Sequence, residues 1–362
     1  MNILFSGDFA PLLANNEVYT EHFSDLQELF KKCDLHVSNL ECPLTIADKS
    51  IEKTGPSLKA NPECIELLKQ ANVSLACLAN NHIFDYRESG ITDTLNVCHK
   101  NGIDTIGIIN RPDNQPHWRI IEIKGKKIGF LNYCEHEFSV RGKGLLGACG
   151  YSAIDVFYDI GKLKPQVDYI IVIYHGGNEY YPLPNPDMRK EFRFLADIGA
   201  DAVIGHHTHV FSGYEMYNGK PLVYSLGNFF FPYSGEPEEW HRGVLCVLEI
   251  DTHTKVSLHP IIQCRNNLRV TIPSQDETKR INNEITKLSG ILSSDREFAN
   301  SWNNYVQEKG HGIAKLFLYS TKYEKALLKL RLLNHKKYNL RAMTLNNIVR
   351  CSSLRSLLTK SL

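Results

Sequence analysis

Five largely apolar runs, residues 2–6, 34–40, 73–79, 168–174 and 200–204, each stop at a group able to hold a cation or a proton. The groups that follow are Gly7-Asp8, Glu41, Asn80-Asn81-His82, His175-Gly176-Gly177 and Gly205-His206-His207-Thr208-His209. A short unbroken apolar run reads as a strand covered on both faces. Helical patterns lie between the runs, at about 20–32, 88–101, 151–164 and 186–198, with a further helix opening at Asn61-Pro62. Strands alternating with helices predict an α/β fold, a covered sheet with helices on both faces. In such sheets functional groups gather beyond the carboxyl ends of the strands, where Asp8, Glu41, Asn81, His175 and His207 all fall.

Residues 117–134 read as a hairpin turning at Lys124-Gly125-Lys126, and 222–226, 243–250 and 256–262 as further strands. Beyond about 270 the strand signals give way to periods of three to four (Ile281, Ile285, Leu288; Leu327, Leu330, Leu333). The expected organisation is one domain over 1–270 and a helical appendage over 271–362. The formal net charge of +1 hides an asymmetry, because twelve of the 41 Lys+Arg but one of the 40 Asp+Glu, Glu324, lie from Lys309 onward. The tail therefore carries +11 and the rest −10. A basic helical tail on an acidic body is expected to meet an anionic polymer or a membrane surface.

The ten cysteines contain no C-x-x-C pair, and Cys77, Cys134 and Cys246 sit inside apolar runs, as in a reduced protein. No basic segment followed by an apolar stretch opens the chain, and no apolar run approaches the roughly 20 residues that cross a bilayer. The expected location is cytoplasmic, peripheral at the inner face of the membrane if the tail binds there. No Rossmann glycine pattern, P-loop or serine elbow is present, so nucleotide-dependent transfer is not expected, and nucleic acid is not an expected partner.

Carboxylates and imidazoles at the ends of separate strands suit a pair of divalent ions, the usual clamp for displacement at phosphorus and for some amide hydrolases. Glu41 is the natural bridge, since a carboxylate has two oxygens. Asp8 with His209 would complete one ion, and Asn81, His175 and His207 the other; an extended His-x-His segment would turn both rings to one side. One or two ions of Mn, Zn, Fe or Mg suit these donors. His82 would act as a general acid or steady a developing oxyanion, with Asp85 orienting it. Glu179, Tyr180 and Asn228 are expected toward the substrate, and His206 either there or behind the ligands, supporting them. Each residue alone has an ordinary reading, such as a turn for Asp8 or a helix cap for Asn81; their joint placement is what points to a site.

Taken in order, Gly7-Asp8, Asn39-Leu40-Glu41, Leu78-Ala79-Asn80-Asn81-His82 with Asp85, His175-Gly176-Gly177-Asn178-Glu179-Tyr180, Gly205-His206-His207-Thr208-His209 and Tyr224-Ser225-Leu226-Gly227-Asn228-Phe229 resemble the capsule-synthesis CapA (poly-γ-glutamate synthesis) family, within the calcineurin-like metallophosphoesterases. The resemblance covers about 2–235. It implies a four-layer α/β/β/α metallophosphatase-like sandwich, metal contacts at Asp8, Glu41, Asn81, His175, His207 and His209, and a catalytic His82. The wider superfamily has Asp-x-His in its first motif, where this chain has Asp8-Phe9-Ala10, and Asp in its second, where this chain has Glu41. The Asp8 ion is thereby one ligand short. The expected function is a metal-dependent hydrolase of a phosphoester or amide bond in a capsule, exopolysaccharide or poly-γ-glutamate precursor. The alternative is a non-catalytic polymer-binding accessory subunit of the same assembly system.

Overall fold

In chain order the strands are β1 (Asn2–Phe9), β2 (Leu35–Leu40), β3 (Leu75–Cys77), β4 (Asp104–Ile106), β5 (Ile108–Ile109), β6 (Arg119–Ile123), β7 (Lys126–Cys134), β8 (Gly147–Ala148), β9 (Tyr169–His175), β10 (Ala202–His206), β11 (Tyr214–Tyr217), β12 (Lys220–Val223), β13 (Asn228–Phe230), β14 (Arg242–Ile250), β15 (Thr254–Gln263) and β16 (Val270–Thr271). The helices are α1 (Gln27–Lys31), α2 (Ile65–Gln70), α3 (Arg87–Lys100), α4 (Ala153–Leu163), α5 (Pro186–Ile198), α6 (Gln275–Leu292) and α7 (Asp295–Leu318). These come from a computed structural model describing residues 1–13, 17–142, 144–233, 235–251 and 254–318, with side chains to residue 309. The chain divides into two compact units, Met1–Asp295 and a second beginning at Arg296.

The strands form two main sheets, as the four-layer sandwich implied by the resemblance requires, where the strand pattern alone indicated one. The first runs β16-β15-β14-β1-β2-β3-β4 with β13 beside β1; the second runs β11-β12-β10-β9-β7-β6. β1 to β4 are parallel, as are β7, β9, β10 and β12, while β14 lies antiparallel on β1. The sheets touch through β4 with β7 and β12 with β15. Helix α3 packs beside β4 and α5 on β10 and β12. Leu163 of α4 crowds Gly129 of β7. The layers are therefore α/β/β/α. An unbroken apolar strand shows that both its faces are buried but not by what. Here one face meets helices and the other meets the opposing sheet.

Local chemistry accounts for most boundaries. Helix α5 starts at Pro186 because the Asn185 side chain accepts from Met188 N–H at 2.9 Å, and it ends at Gly199, whose φ is +131°. The hairpin turns at Lys124 and Gly125, φ +51° and +77°, the left-handed pair that matches strand twist. The helix expected over 20–32 is shorter, a 3-10 turn Ser24–Leu26 followed by the five-residue α1. Strands β4, β5, β8, β13 and β16 are two or three residues long and carry no readable period. Helix α6, in the stretch expected as an appendage, packs on β11 and β15 and lies within the first unit. Residues 319–362, which hold most of the basic tail, lie outside the described residues. Among the described residues no helix is long and apolar enough to cross a membrane.

Candidate metal centre

The carboxyl ends of β1, β2, β3, β9 and β10 meet at the seam between the sheets. At the end of β1 the register with β2 shifts between Ser6 and Asp8. Gly7 makes this possible, because a Cβ there would stand 1.9 Å from the Gly227 carbonyl oxygen. Asp8 N–H donates to that carbonyl at 3.0 Å. Glu41 leaves β2 with its N–H on Phe9 O at 2.9 Å. Asn80 ties the turn after β3 to this edge. Its amide donates to Leu40 O at 2.8 Å, and its oxygen accepts from His82 and Ile83 N–H at 3.1 and 2.9 Å. His175 closes β9 and His206 closes β10.

His207 and His209 do not lie on an extended segment, as the sequence suggested. Their φ values are +96° and +59°, so the rings are aimed by a tight turn, with Thr208 Oγ1 on Val210 O at 2.8 Å. The turn brings His207 N–H to Asp8 Oδ2 at 3.1 Å.

The candidate ligands converge in two groups that share one residue. Glu41, His175 and His207 offer ligand atoms within 4.8 Å of one another, and so do Asp8, Glu41 and His209. Asn81 Oδ1 is 3.0 Å from His175 Nε2, and His207 Nδ1 is 3.1 Å from the same nitrogen. His209 Nε2 is 3.7 Å from Glu41 Oε1, and its Nδ1 is 3.5 Å from Asp8 Oδ2. Asn39, not singled out from the sequence, donates to Asp8 Oδ1 at 2.8 Å and lies 3.2 Å from His175 Nδ1.

Electrostatically this is a costly place to leave without a cation. Asp8 and Glu41 are both fully buried, and Glu41 Oε1 has no hydrogen-bond partner. Burial, with Asp8 beside it, drives the Glu41 carboxyl well above its usual range. Burial also works on Asp8, but His206 and His209 hold it well below the ordinary value. Burial and the neighbouring His207 push His175 well below 6.5, and burial with His209 pushes His207 down to about 3. Neutral imidazoles and crowded carboxylates are the states that bind divalent ions, so the donor set fits.

The remaining expected residues separate. His82 borders both cavities at the seam, about 200 and 260 Å³. Its Nδ1 is held by Asp85 Oδ2 at 2.7 Å, and burial lowers its pKa against the pull of Asp85. Asp85 is fully buried behind it and lines neither cavity. Glu179 and Tyr180 line the smaller cavity. His206 and Asn228 do not line it: His206 takes the supporting position behind the ligands, and Asn228 is not on the expected substrate side. His206 is buried with Nδ1 3.3 Å from Asp8 Oδ1, and Asn228 Oδ1 accepts from His209 Nδ1 at 3.0 Å. His206 sits behind the cluster because the turn from β10 aims His207 and His209 forward, and Asn228 because it lies on β13 paired with Asp8. Lys53, also missed, comes from an irregular loop with no period to mark it; its Nζ lies 2.5 Å from Asp85 Oδ1 and 3.1 Å from His82 Nδ1.

Two opposed sheets under outer helices, with carboxylates and imidazoles gathered at strand ends, make this an α/β/β/α protein with a candidate metal centre at its sheet seam. The profile of the bacterial capsule synthesis protein PGA_cap family matches residues 2–233, and the chain belongs to that family. It is 32% identical over 222 residues to the PGA biosynthesis protein CapA of Bacillus subtilis, covering 58% of this chain and 56% of that one. The capsule biosynthesis protein CapA of Bacillus anthracis is 27% identical over 218 residues, 58% of this chain and 53% of that one. The chain thus spans little more than half the length of these Bacillus relatives. A probable polyglutamine synthesis accessory protein of Mycobacterium tuberculosis is 26% identical over 277 residues, 71% of this chain and 72% of that one. Among solved structures, a hypothetical protein of Thermus thermophilus aligns with TM-score 0.45 and 17% identity, over 72% of this chain and 98% of that one. A putative 5'-nucleotidase of Staphylococcus aureus aligns with TM-score 0.43 and 13% identity, over 79% and 58%.

Proposed function

We propose that this protein is a metal-dependent hydrolase cleaving a phosphoester or amide bond in a capsule, exopolymer or poly-γ-glutamate precursor. The observation that carries the reading is Glu41, a buried carboxylate with an unpartnered oxygen shared by two ligand groups. Asp8, Glu41 and His209 would hold one cation, and Glu41, Asn81, His175 and His207 another. Such an ion, when bound, supplies Lewis-acid polarisation of the bond under attack.

The chain's own part is to place and feed protons. Asp85 fixes the His82 ring through Nδ1, which leaves Nε2 for the cavity. There it donates a proton to the departing oxygen or nitrogen as water adds to phosphorus or carbonyl carbon. General acids of this kind contribute on the order of 10² to 10⁴ in rate. The walls that His82 shares with Glu179 and Tyr180 would orient the substrate.

The second reading is a non-catalytic accessory subunit. It is favoured by Ala10, buried near Asp8 with no donor to offer, and the mycobacterial relative is called an accessory protein. The two readings part on purified, metal-replete protein assayed against phosphodiesters, phosphomonoesters and γ-glutamyl amides, with ion content measured alongside. Turnover that falls about 10²-fold or more in His82→Ala at unchanged ion content supports the hydrolase. Bound ions with no turnover on any of the three classes leave the accessory role, and no bound ion sinks both forms of the metal reading.

A further inference from the structure

The cavity of about 200 Å³ beside His82 and His209 is walled by Tyr180, Tyr233, Phe231 and Trp240, with Glu179 and Glu236 at its border. Tyr180 and Tyr233 are 42% and 38% exposed, whereas Trp240 is buried behind them with its ring 6.1 and 6.2 Å from theirs. The two tyrosine rings are thus a free platform on a packed aromatic base. Tyr180 is pinned as well: its N–H donates to Thr208 O at 2.8 Å and its hydroxyl to Glu236 at 2.6 Å. Its φ of +60° costs a residue with a Cβ energy, and such strain persists where surroundings impose it.

Charge narrows the ligand. Glu179 and Glu236 border this cavity, Glu179 also borders the adjoining one of about 260 Å³, where burial raises the pKa of Glu137, and among the described lining residues Lys53 is the one ammonium. Lys53 is engaged by Asp85 at 2.5 Å with 2% of its side chain exposed. An ionised carboxylate accepts hydrogen bonds and donates none, so these walls ask for donors. A chain of γ-linked glutamate brings one carboxylate per residue and would meet like charge on both sides of His82. Cations at the strand ends would draw one anionic group to the reacting centre, not a row of them along the flanks.

We infer that the tyrosine-walled cavity takes a neutral, hydroxyl-bearing ring, a glycosyl unit, stacked on Tyr180 and Tyr233 with hydroxyls donated to Glu179 and Glu236. The ring's apolar face suits an aromatic platform and its hydroxyls suit acceptor-only walls. This rests on the reading that the His82 site engages substrate, and it selects the sugar-containing precursors from the classes named above.

The test is binding to the full chain, read by calorimetry and tryptophan fluorescence at physiological salt. The probes are maltotetraose, the tetramer of N-acetylglucosamine and a tetramer of γ-linked glutamate. At least one neutral probe is expected to bind, more weakly by about tenfold in Tyr233→Ala. The isosteric pair Glu179→Gln with Glu236→Gln is expected to weaken that sugar and strengthen the γ-glutamate tetramer, two opposite signs that misfolding cannot mimic. Failure of both neutral probes, indifference to Tyr233→Ala, or tighter parent binding of the γ-glutamate tetramer overturns the inference. Sugar binding without turnover would remove the hydrolase reading and keep this one; γ-glutamyl hydrolysis without sugar binding would do the reverse.

Discussion

Lys53 Nζ lies 2.5 Å from Asp85 Oδ1, and neither side chain is more than 2% exposed. The other Asp85 oxygen accepts from Leu58 N–H and His82 Nδ1, both at 2.7 Å, and its carbonyl accepts from Ile51 N–H at 2.9 Å. One carboxylate therefore fastens the loop over 51–58 to the turn that carries Asn81 and His82. Removing the cation leaves that carboxylate buried and underpaired. Lys53→Met is expected to lose about 3–5 kcal/mol in urea unfolding. A loss below about 1 kcal/mol, the range of exposed pairs, would show that the pair is solvated and the clasp unimportant.

Glu41 belongs to both ligand groups, whereas His209 belongs to one. Elemental analysis after dialysis against metal should find Glu41→Ala stripped of ions and His209→Ala still holding what the Glu41–His175–His207 group binds. In the parent, saturating ion should also raise the melting temperature, since a ligand at 100 times its Kd adds about 2.7 kcal/mol. Ion content in Glu41→Ala equal to the parent's would dissolve the shared-carboxylate arrangement.

Gly7 has no room for a side chain, its would-be Cβ lying 1.9 Å from the Gly227 carbonyl oxygen. Gly7→Ala must push β1 away from the segment before β13, which moves Asp8 out of register with Asn228. The expected result is a chain that is destabilised by about 3 kcal/mol or more, or does not fold. An unchanged denaturation midpoint would contradict the close approach.

His36, which belongs to neither ligand group, gives a pH prediction. It is 1% exposed, with Nδ1 on Ala71 O at 2.7 Å and Nε2 2.8 Å from Ser6 Oγ. Burial lowers its pKa from 6.5 to about 4, against the pull of the Ala71 carbonyl. The unfolded chain then binds the extra proton between those values, so His36 costs stability as pH falls from 6.5 toward 4, by about 3 kcal/mol in all. His36→Leu is spared this. Its deficit relative to the parent, read from denaturation midpoints, should be largest at pH 7 and shrink by about that amount near pH 4. A deficit constant with pH would contradict a neutral buried imidazole.

What the sequence showed and hid follows from where the signals live. Asp8, Glu41, Asn81, His175 and His207 were readable because a buried strand announces itself by composition and its end by the first polar group. Asn61-Pro62 and Lys124-Gly125 were readable because capping and left-handed turns need particular residues. The second sheet came through the family resemblance and not through composition, since a strand carries no mark of what covers it. Lys53 was hidden in an irregular loop. His206 and His209 look alike along the chain and are separated by a turn geometry, φ +96° at His207 and +59° at His209, that no local pattern encodes. Asn39 and Asn228 matter through side-chain contacts with Asp8 and His209, which only the folded arrangement creates.

The shared cluster draws on Asp8 at one extreme and His209 at the other, with 199 positions bridged by a single hydrogen bond between His207 and Asp8. During synthesis the early carboxylates leave the ribosome long before the imidazoles that complete them. A half-made chain accordingly exposes acids with no partner imidazole, and capture of the proposed cations would wait for the turn after β10. Retention of the proposed ions would then report closure of the two sheets.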